Sequence, residues 1–408
     1  MRARILAVAL AALTACAPRP VSGDASSSPV PLALATASAE PTAMATPSSI
    51  PPTARPEPPP RVTREIAGIE FALVPGAADL RVETSLSRDD EAVVATAVAS
   101  DIGAVEREFA RSFAGRPVIF VFATTPGYTE GFVRIFGYGR ATATFVAENS
   151  VSFFEPSLRL IAVNWEAVRD RRPIAAIRHE LTHLLTLDAC APRCDLVPAW
   201  LNEGQARLAE ALVPGSDWRL VRVRYEAASM AETGTLIPLN ALVSQLAWNA
   251  LSDWAGYFKY QEAARAVELL REDIGGDTPI ALLYERMRRG QNVAQAYASL
   301  TGRPFDEFVT GLAARMRGAV PQMPGLIAVA PESYLLYGFA PATTVTVTIS
   351  GPRGSESWPM VISPFGSNFD GVPPTRARGG YTISAQDANG VFTAKVRKMD
   401  QGSPGDLR

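Results

Sequence analysis

The sequence predicts an α+β protein: a small sheet comes first, a long helical region follows, and a small all-β sandwich ends the chain. Three patterns support this prediction. The apolar run at 116–123 is typical of a buried strand. Apolar residues recur at helical spacing between about 173 and 318. Beyond residue 324, period-two alternation between glycine-rich turns, as at 344–350, is typical of antiparallel strands.

The remaining elements are assigned in chain order. A helix is predicted over 89–113, ahead of the buried strand, and further strands are predicted over 142–154 and 158–164. Alternating runs at 381–384 and 391–396 complete an immunoglobulin-like β-sandwich over 325–398. A short flexible tail is predicted at 399–408.

The aromatic residues of this C-terminal region have two possible uses. Trp358, Tyr334, Tyr337 and Tyr381 could line a glycan-binding face. Aromatic side chains more often fill a core or cover strand edges, and we favour that interpretation. The region could serve as a spacer or as a substrate-docking module.

Charge and composition narrow the class of protein. The 408 residues include 39 basic and 41 acidic side chains, for a formal net charge of −2. This balance provides no positive field to attract nucleic acid, and no internal stretch approaches the roughly 20 apolar residues that cross a bilayer. The sequence therefore excludes nucleic acid as a partner and an integral membrane protein as a class, and it carries no signal for an oligomeric state.

The N-terminus has the pattern of an export signal. Arg2 and Arg4 precede an apolar run at 5–13, and Leu13-Thr14-Ala15-Cys16 follows. This segment, 1–16, resembles a bacterial lipoprotein signal peptide, which implies lipidation of Cys16 and a protein anchored to a membrane of the bacterial cell envelope. An ordinary cleaved signal is the alternative. Residues 17–62 are rich in Pro, Ala, Ser and Thr and predict a disordered tether.

The segment His179-Glu180-Leu181-Thr182-His183 is the main chemical signal. Two histidines four apart on a helix project from one face, so both imidazoles can bind one metal ion, with Glu180 beside them. The alternative is a chance occurrence in an ordinary amphipathic helix. These are the only two histidines in the chain, and we therefore favour a metal site.

Two histidines need a third protein ligand, with a fourth position left for water. The segment Pro198-Ala199-Trp200-Leu201-Asn202-Glu203-Gly204 predicts a second helix, running to about Leu212. An isolated glutamate on a helix is usually a solvated surface residue. The position of Glu203, 20 residues after His183 and between Trp200 and Gly204, favours a ligand instead.

This motif pair resembles the gluzincin zinc peptidases, and in particular the bacterial peptidase-MA-like branch with its W-L-x-E-G helix. The resemblance covers about 65–318 and implies a zinc metallopeptidase domain at 63–320 that hydrolyses a peptide or protein substrate. It further implies that His179, His183 and Glu203 bind Zn²⁺ and that Glu180 is the general base.

Two other roles remain open at this point. During hydrolysis the developing oxyanion needs a further donor. With no third histidine in the chain, this donor would be a tyrosine, an arginine or the backbone. The resemblance points to Tyr260, with Tyr257 as the second candidate and ordinary aromatic packing as the alternative. Thermolysin-like enzymes carry an aspartate four residues after the third ligand to orient a histidine, where this chain has Arg207. Asp188 and Asp195 are candidates for that role.

The G-x-M-x-N segment of the aminopeptidases is absent, which argues against an exopeptidase.

Cys190 and Cys194 lie between the two predicted ligand helices. With Cys16 lipidated, an even pair remains in an oxidising compartment, which predicts a disulfide. A soft metal site is the alternative.

Two functions from different classes fit these features. One is an exported, lipid-anchored zinc peptidase. The other is a catalytically silent envelope lipoprotein that binds or scaffolds on the same fold. Glu180 favours the enzyme, because a binding protein has no need of a hydrolytic carboxylate at that position.

Overall fold

The computed structural model describes residues 60–170, 174–320, 322–330, 333–352, 354–372, 379–388 and 390–398. The predicted signal peptide with Cys16, nearly all of the predicted tether and the predicted tail lie outside these ranges. Within the described residues, no helix combines the length and the apolar character that a membrane span requires.

A mixed six-stranded sheet opens the described chain. Its strands are β1 (Thr63–Ile66), β2 (Ile69–Val74), β3 (Asp79–Glu83), β4 (Val118–Phe122), β5 (Ser152–Glu155) and β6 (Leu160–Asn164). Across the sheet their order is β1-β2-β3-β4-β6-β5. The central strands β3, β4 and β6 are parallel, and the outer pairings are antiparallel. β5 is therefore an edge strand.

Helices cover both faces of this sheet. They are α1 (Arg88–Glu108), α2 (Thr125–Arg134), α3 (Arg140–Asn149) and the short α4 (Trp165–Val168). In β4, Ile119 and Val121 point into a core shared with α1, whereas Phe120 and Phe122 point into an aromatic cluster under α2 and α3. Burial on both faces explains why β4 is a continuous apolar run.

The strand predicted over 142–154 is wrong for its first half. Residues Arg140–Asn149 form α3, and only Ser152–Glu155 is a strand. The helix buries Ala143, Val146 and Ala147 against the aromatic cluster. That i, i+3, i+4 spacing belongs to one helix face, and tertiary packing there overrides the β propensity of the threonines.

The chain from residue 174 to 318 is mainly helical, as predicted. The helices are α5 (Ala176–Cys190), α6 (Ala199–Ala211), α7 (Asp217–Glu232), α8 (Gln245–Ala250), α9 (Asp253–Ile274), α10 (Pro279–Arg288), α11 (Val293–Thr301) and α12 (Phe305–Gly318). α6 packs between α5 and α9. Pro173, where the helical pattern of the sequence begins, lies outside the described residues.

The C-terminal region is all antiparallel β structure. Its strands are β7 (Gly325–Ala330), β8 (Ser333–Tyr337), β9 (Thr344–Gly351), β10 (Gly354–Val361), β11 (Asn368–Gly371), β12 (Gly379–Asp387) and β13 (Gly390–Lys398). They form two sheets, β10-β9-β12-β13 and β11-β8-β7. The α+β class with a C-terminal β region of two sheets is thus confirmed.

Aromatic residues fill the interior of this region. Tyr334 and Tyr381 are buried in one core, against which the half-buried Trp358 packs. Tyr337 is buried in a second cluster, where the β region meets the helices. The core interpretation is confirmed for the three tyrosines, and they do not form an exposed glycan-binding face.

The β region packs directly on the helices. The Ser229 hydroxyl on α7 accepts a hydrogen bond from the Gly338 N–H at 2.9 Å and donates to the Phe365 carbonyl at 3.2 Å. The Phe365 ring stacks on Phe258 of α9 at 4.8 Å. The Phe365–Phe258 contact supports α9, the helix on which both candidate tyrosines lie.

Candidate metal centre

Helix α5 presents the two histidines to one point. His179 and His183 lie one turn apart, and their Nε2 atoms are 3.1 Å apart. Both side chains are buried. Ile177, Leu181, Leu184 and Leu185 hold the helix in the main core, so the orientation of the histidine face is set by the packing of the opposite face.

Helix α6 supplies the third group. Oε2 of Glu203 lies 3.6 Å from Nε2 of His183 and 3.9 Å from Nε2 of His179. The Glu203 side chain is fully buried. Residues on two different helices therefore converge, and within the described residues this trio forms a group that could hold a metal ion.

The glycine that follows Glu203 has a packing role. A Cβ atom on Gly204 would lie 2.5 Å from the carbonyl oxygen of Ala263 on α9. Such a distance is a severe overlap, so only glycine permits this approach of α6 to α9. The W-L-x-E-G pattern thus combines a candidate ligand with the helix contact that positions it.

Each of the three groups has a partner behind it. Nδ1 of His183 is 3.0 Å from Oδ1 of Asn202, and Nδ1 of His179 is 3.6 Å from Oε2 of Glu210. Such partners fix the orientation and tautomer of metal-binding rings. Glu210 lies seven residues after Glu203, two helical turns along one face of α6, and that spacing is the signal that could have identified it.

The third partner holds the carboxylate. Oε1 of Glu203 accepts a hydrogen bond from Nε2 of Gln245 on α8 at 3.2 Å. Oε2 makes no hydrogen bond within the described part of the chain. The oxygen that faces the histidines is therefore the one left for a ligand.

Asp188 and Asp195 are the sequence candidates for orienting a histidine, but both pair with arginines instead. Asp188 pairs with Arg159 and accepts the Ala114 N–H, and Asp195 pairs with Arg193. Both lie at the end of the α5 region, where they serve helix and loop structure.

The general-base candidate Glu180 is also buried. Its Oε1 accepts a hydrogen bond from the Ser152 hydroxyl on β5 at 2.7 Å. Burial raises the pKa of Glu180, while the charges of His179 and His183 act in the opposite direction. A carboxyl group with a raised pKa is suited to exchanging a proton near neutral pH.

Charge coupling between the ligand groups is strong. Burial alone would lower the pKa of His183, but the Glu203 and Glu180 carboxylates outweigh it and raise this pKa to about 9. Burial would raise the pKa of Glu203, and the two histidines outweigh it and lower this pKa. Without an ion, these shifts favour a protonated His183 beside an ionised Glu203, and a metal cation would displace that proton.

The donor set fits a metal ion. Two imidazole nitrogens and one carboxylate oxygen meet in a buried space. Asn202 and Gln245 hold Nδ1 of His183 and Oε1 of Glu203, Nδ1 of His179 lies 3.6 Å from Glu210, and Oε2 of Glu203 is left without a hydrogen bond. A buried polar atom of this kind is costly unless a ligand satisfies it. The trio could therefore hold a metal ion.

The two candidate tyrosines occupy different surroundings. The Tyr260 ring centroid lies 6.4 Å from that of His179 and 4.9 Å from that of Trp248, with which it makes a T-shaped contact. The Tyr257 hydroxyl donates to Glu226 at 2.9 Å and accepts a hydrogen bond from Arg222. Of the two, Tyr260 is the one in ring contact with a histidine of the trio.

A disulfide joins Cys190 and Cys194. Cys190 is the last residue of α5, and Cys194 opens the short 3₁₀ turn that leads toward α6. The predicted pairing is confirmed, and it constrains the connection between the two helices of the metal centre.

No protein-family model matches this chain, and no curated protein matches it.

Proposed function

We propose that this protein is a zinc-dependent peptidase of the gluzincin type. The observation that supports the proposal is the convergence of His179, His183 and Glu203 on one point, with the buried carboxyl of Glu180 next to them in sequence. The two-helix arrangement has the ligand order and spacing of the motif pair HExxH and W-L-x-E-G. The missing family match leaves these residues and their geometry as the basis of the proposal.

Zinc is the ion that these donors favour. Two imidazoles and one carboxylate are typical of catalytic zinc sites, in which a fourth position stays open. A tetrahedral site with bonds of about 2.1 Å has its ligand atoms about 3.4 Å apart. The observed separations of 3.1, 3.6 and 3.9 Å lie on both sides of that value.

The protein's own groups supply the proton transfers. A bound zinc ion would act as a Lewis acid that activates water and polarises the substrate carbonyl. Glu180 would take the proton from the attacking water and deliver it to the leaving nitrogen. Tyr260, in ring contact with His179, would donate to the developing oxyanion.

We further propose that the enzyme acts outside the cytoplasm, anchored through a lipidated Cys16. The Cys190–Cys194 disulfide supports export, because such bonds persist in oxidising compartments.

The test combines metal analysis with cleavage of a mixed peptide library followed by mass spectrometry. We expect one zinc ion per chain in the wild type and in Glu180→Gln, with cleavage reduced at least about 100-fold in the variant. Glu148→Gln, on the exposed surface of α3, is the matched control and should cleave like the wild type.

The outcomes separate the two functions. Zinc in both proteins without cleavage by the wild type would favour the binding or scaffold lipoprotein. Protein that is purified with no metal and binds none on addition of zinc would refute the metal centre itself.

A further inference from the structure

Glu180 is held by a residue from the sheet. Ser152, the first residue of edge strand β5, donates its hydroxyl proton to Oε1 of Glu180 at 2.7 Å, across 28 residues of sequence. Both side chains are buried, with exposed fractions of 2% for Ser152 and 1% for Glu180. When Glu180 is ionised, a short hydrogen bond of this kind is among the stronger ones in proteins.

The backbone of Ser152 is fixed independently of this bond. Ser152 pairs with Val163 on β6, and the neighbouring Val151 carbonyl accepts the Asn164 N–H at 2.9 Å. The serine therefore lies on a rigid strand, and its hydroxyl approaches Glu180 from a defined direction.

Only one oxygen of the carboxyl group is held. Oε2 of Glu180 is buried and makes no hydrogen bond within the described residues. A serine hydroxyl has one proton to donate, so Ser152 distinguishes the two oxygens: Oε1 is occupied and Oε2 is left for exchange.

We propose that Ser152 is a positioning residue for Glu180, an inference that rests on the hydrolytic function proposed above. By donating to Oε1, Ser152 keeps Oε2 directed at the reacting water. The proton of the water moves to Oε2 and then from Oε2 to the leaving nitrogen, and the Ser152 proton stays on its own oxygen throughout. Holding a catalytic group in this way lowers the cost of reaching the reactive geometry.

The chain offers a matched control two residues away. Ser150 is also buried, but its hydroxyl donates to the Val146 carbonyl at 2.7 Å and lies 3.1 Å from the Tyr128 hydroxyl. Ser150→Ala therefore removes a buried serine hydroxyl from the same segment, and the contacts that it loses are those with Val146 and Tyr128.

The experiment compares Ser152→Ala, Ser152→Thr and Ser150→Ala in the full chain, using a fluorogenic peptide that the wild type cleaves. We expect kcat of Ser152→Ala to fall about 10-fold, with KM and zinc content unchanged. Ser152→Thr retains a hydroxyl and should recover most of kcat. Ser150→Ala should keep the wild-type kcat even if it lowers the thermal midpoint.

A second measurement does not depend on activity. In crystal structures of the zinc-loaded proteins, the Glu180 side chain should adopt one rotamer in the wild type and in Ser150→Ala, and more than one in Ser152→Ala. A kcat for Ser152→Ala within about twofold of the wild type overturns the inference, and so does a loss that Ser152→Thr fails to recover. A wild type that cleaves no peptide indicates failure of the proposed function, and the positioning role falls with it.

Discussion

Oε2 of Glu210 lies 3.6 Å from Nδ1 of His179, the ring nitrogen that does not face the metal centre. Burial would raise the pKa of Glu210, but Arg207, His179 and Arg219 outweigh it and lower this pKa, so the group is a carboxylate at neutral pH. We expect Glu210→Gln to weaken zinc binding about 10- to 100-fold, because it removes the charge that orients His179 and increases its basicity. Competition with a chromophoric chelator measures this affinity.

Glu148→Gln serves as the control for Glu210→Gln, because Glu148 is exposed on α3. Unfolding of the metal-free proteins should be measured alongside, since Arg207 also pairs with Glu210 at 2.7 Å. An unchanged zinc affinity in a folded Glu210→Gln protein would show that Glu210 does not orient the ring.

Gly204→Ala is expected to destabilise the protein. The added Cβ would overlap the Ala263 carbonyl at 2.5 Å, forcing α6 away from α9. Overpacking of this kind costs about 1–3 kcal/mol, and zinc affinity should fall with it because Glu203 is the adjacent residue. Urea unfolding of the metal-free protein measures the first effect, and chelator competition the second.

Gly311→Ala is the matched control, since a Cβ on Gly311 in α12 meets no atom within 4 Å. It should stabilise the protein by up to about 1 kcal/mol, the usual gain of alanine over glycine in a helix. Equal effects of the two substitutions would contradict a close approach of α6 to α9.

The candidate metal trio could be predicted from sequence because each of its two helices carries a local signal. The helical period fixes the relation of His179 to His183, and the short segment around Glu203 marks a second helix with a glycine where another helix must approach. The α+β class could be predicted for the same reason, since it follows from the hydrophobic periodicity within single helices and strands.

The partners of these groups could not be predicted from local patterns. Ser152 reaches Glu180 across 28 residues, and Gln245 reaches Glu203 across 42. Both contacts depend on how strands and helices pack, which a period of 2 or 3.6 does not encode. The error over Arg140–Asn149 has a related cause, because burial of one helix face against the aromatic cluster decided the structure there.

We expect the Cys190–Cys194 disulfide to stabilise the fold modestly. By the chain-entropy estimate, closing so short a loop stabilises the fold by about 2 kcal/mol. The Cys190→Ser, Cys194→Ser double variant should therefore unfold at a lower urea concentration. Dithiothreitol should lower the urea midpoint of the wild type to that of the variant and leave the midpoint of the variant unchanged. Coincident unfolding curves of the wild type and the variant without reductant would refute a stabilising role.

Glu262 on α9 is a buried carboxyl outside the metal trio. Its Oε2 accepts the Ile237 N–H at 2.8 Å, and burial raises its pKa from 4.5 to about 8. The folded protein therefore binds the Glu262 proton more tightly than the unfolded chain does. The stability that this preference contributes is fully present below about pH 4.5 and is lost as the pH rises to about 8.

We expect Glu262→Gln to make the free energy of unfolding depend less on pH between pH 5 and pH 8. Glutamine stays uncharged and can still accept the Ile237 N–H, so the variant avoids ionising a buried group above pH 5. Relative to the variant, the wild type should lose up to about 4 kcal/mol between pH 5 and pH 8. Urea unfolding of both metal-free proteins across this range measures the difference and removes the contribution of zinc binding. Parallel stability curves would show that Glu262 is ionised in the folded protein and that the buried carboxyl is stabilised as a carboxylate.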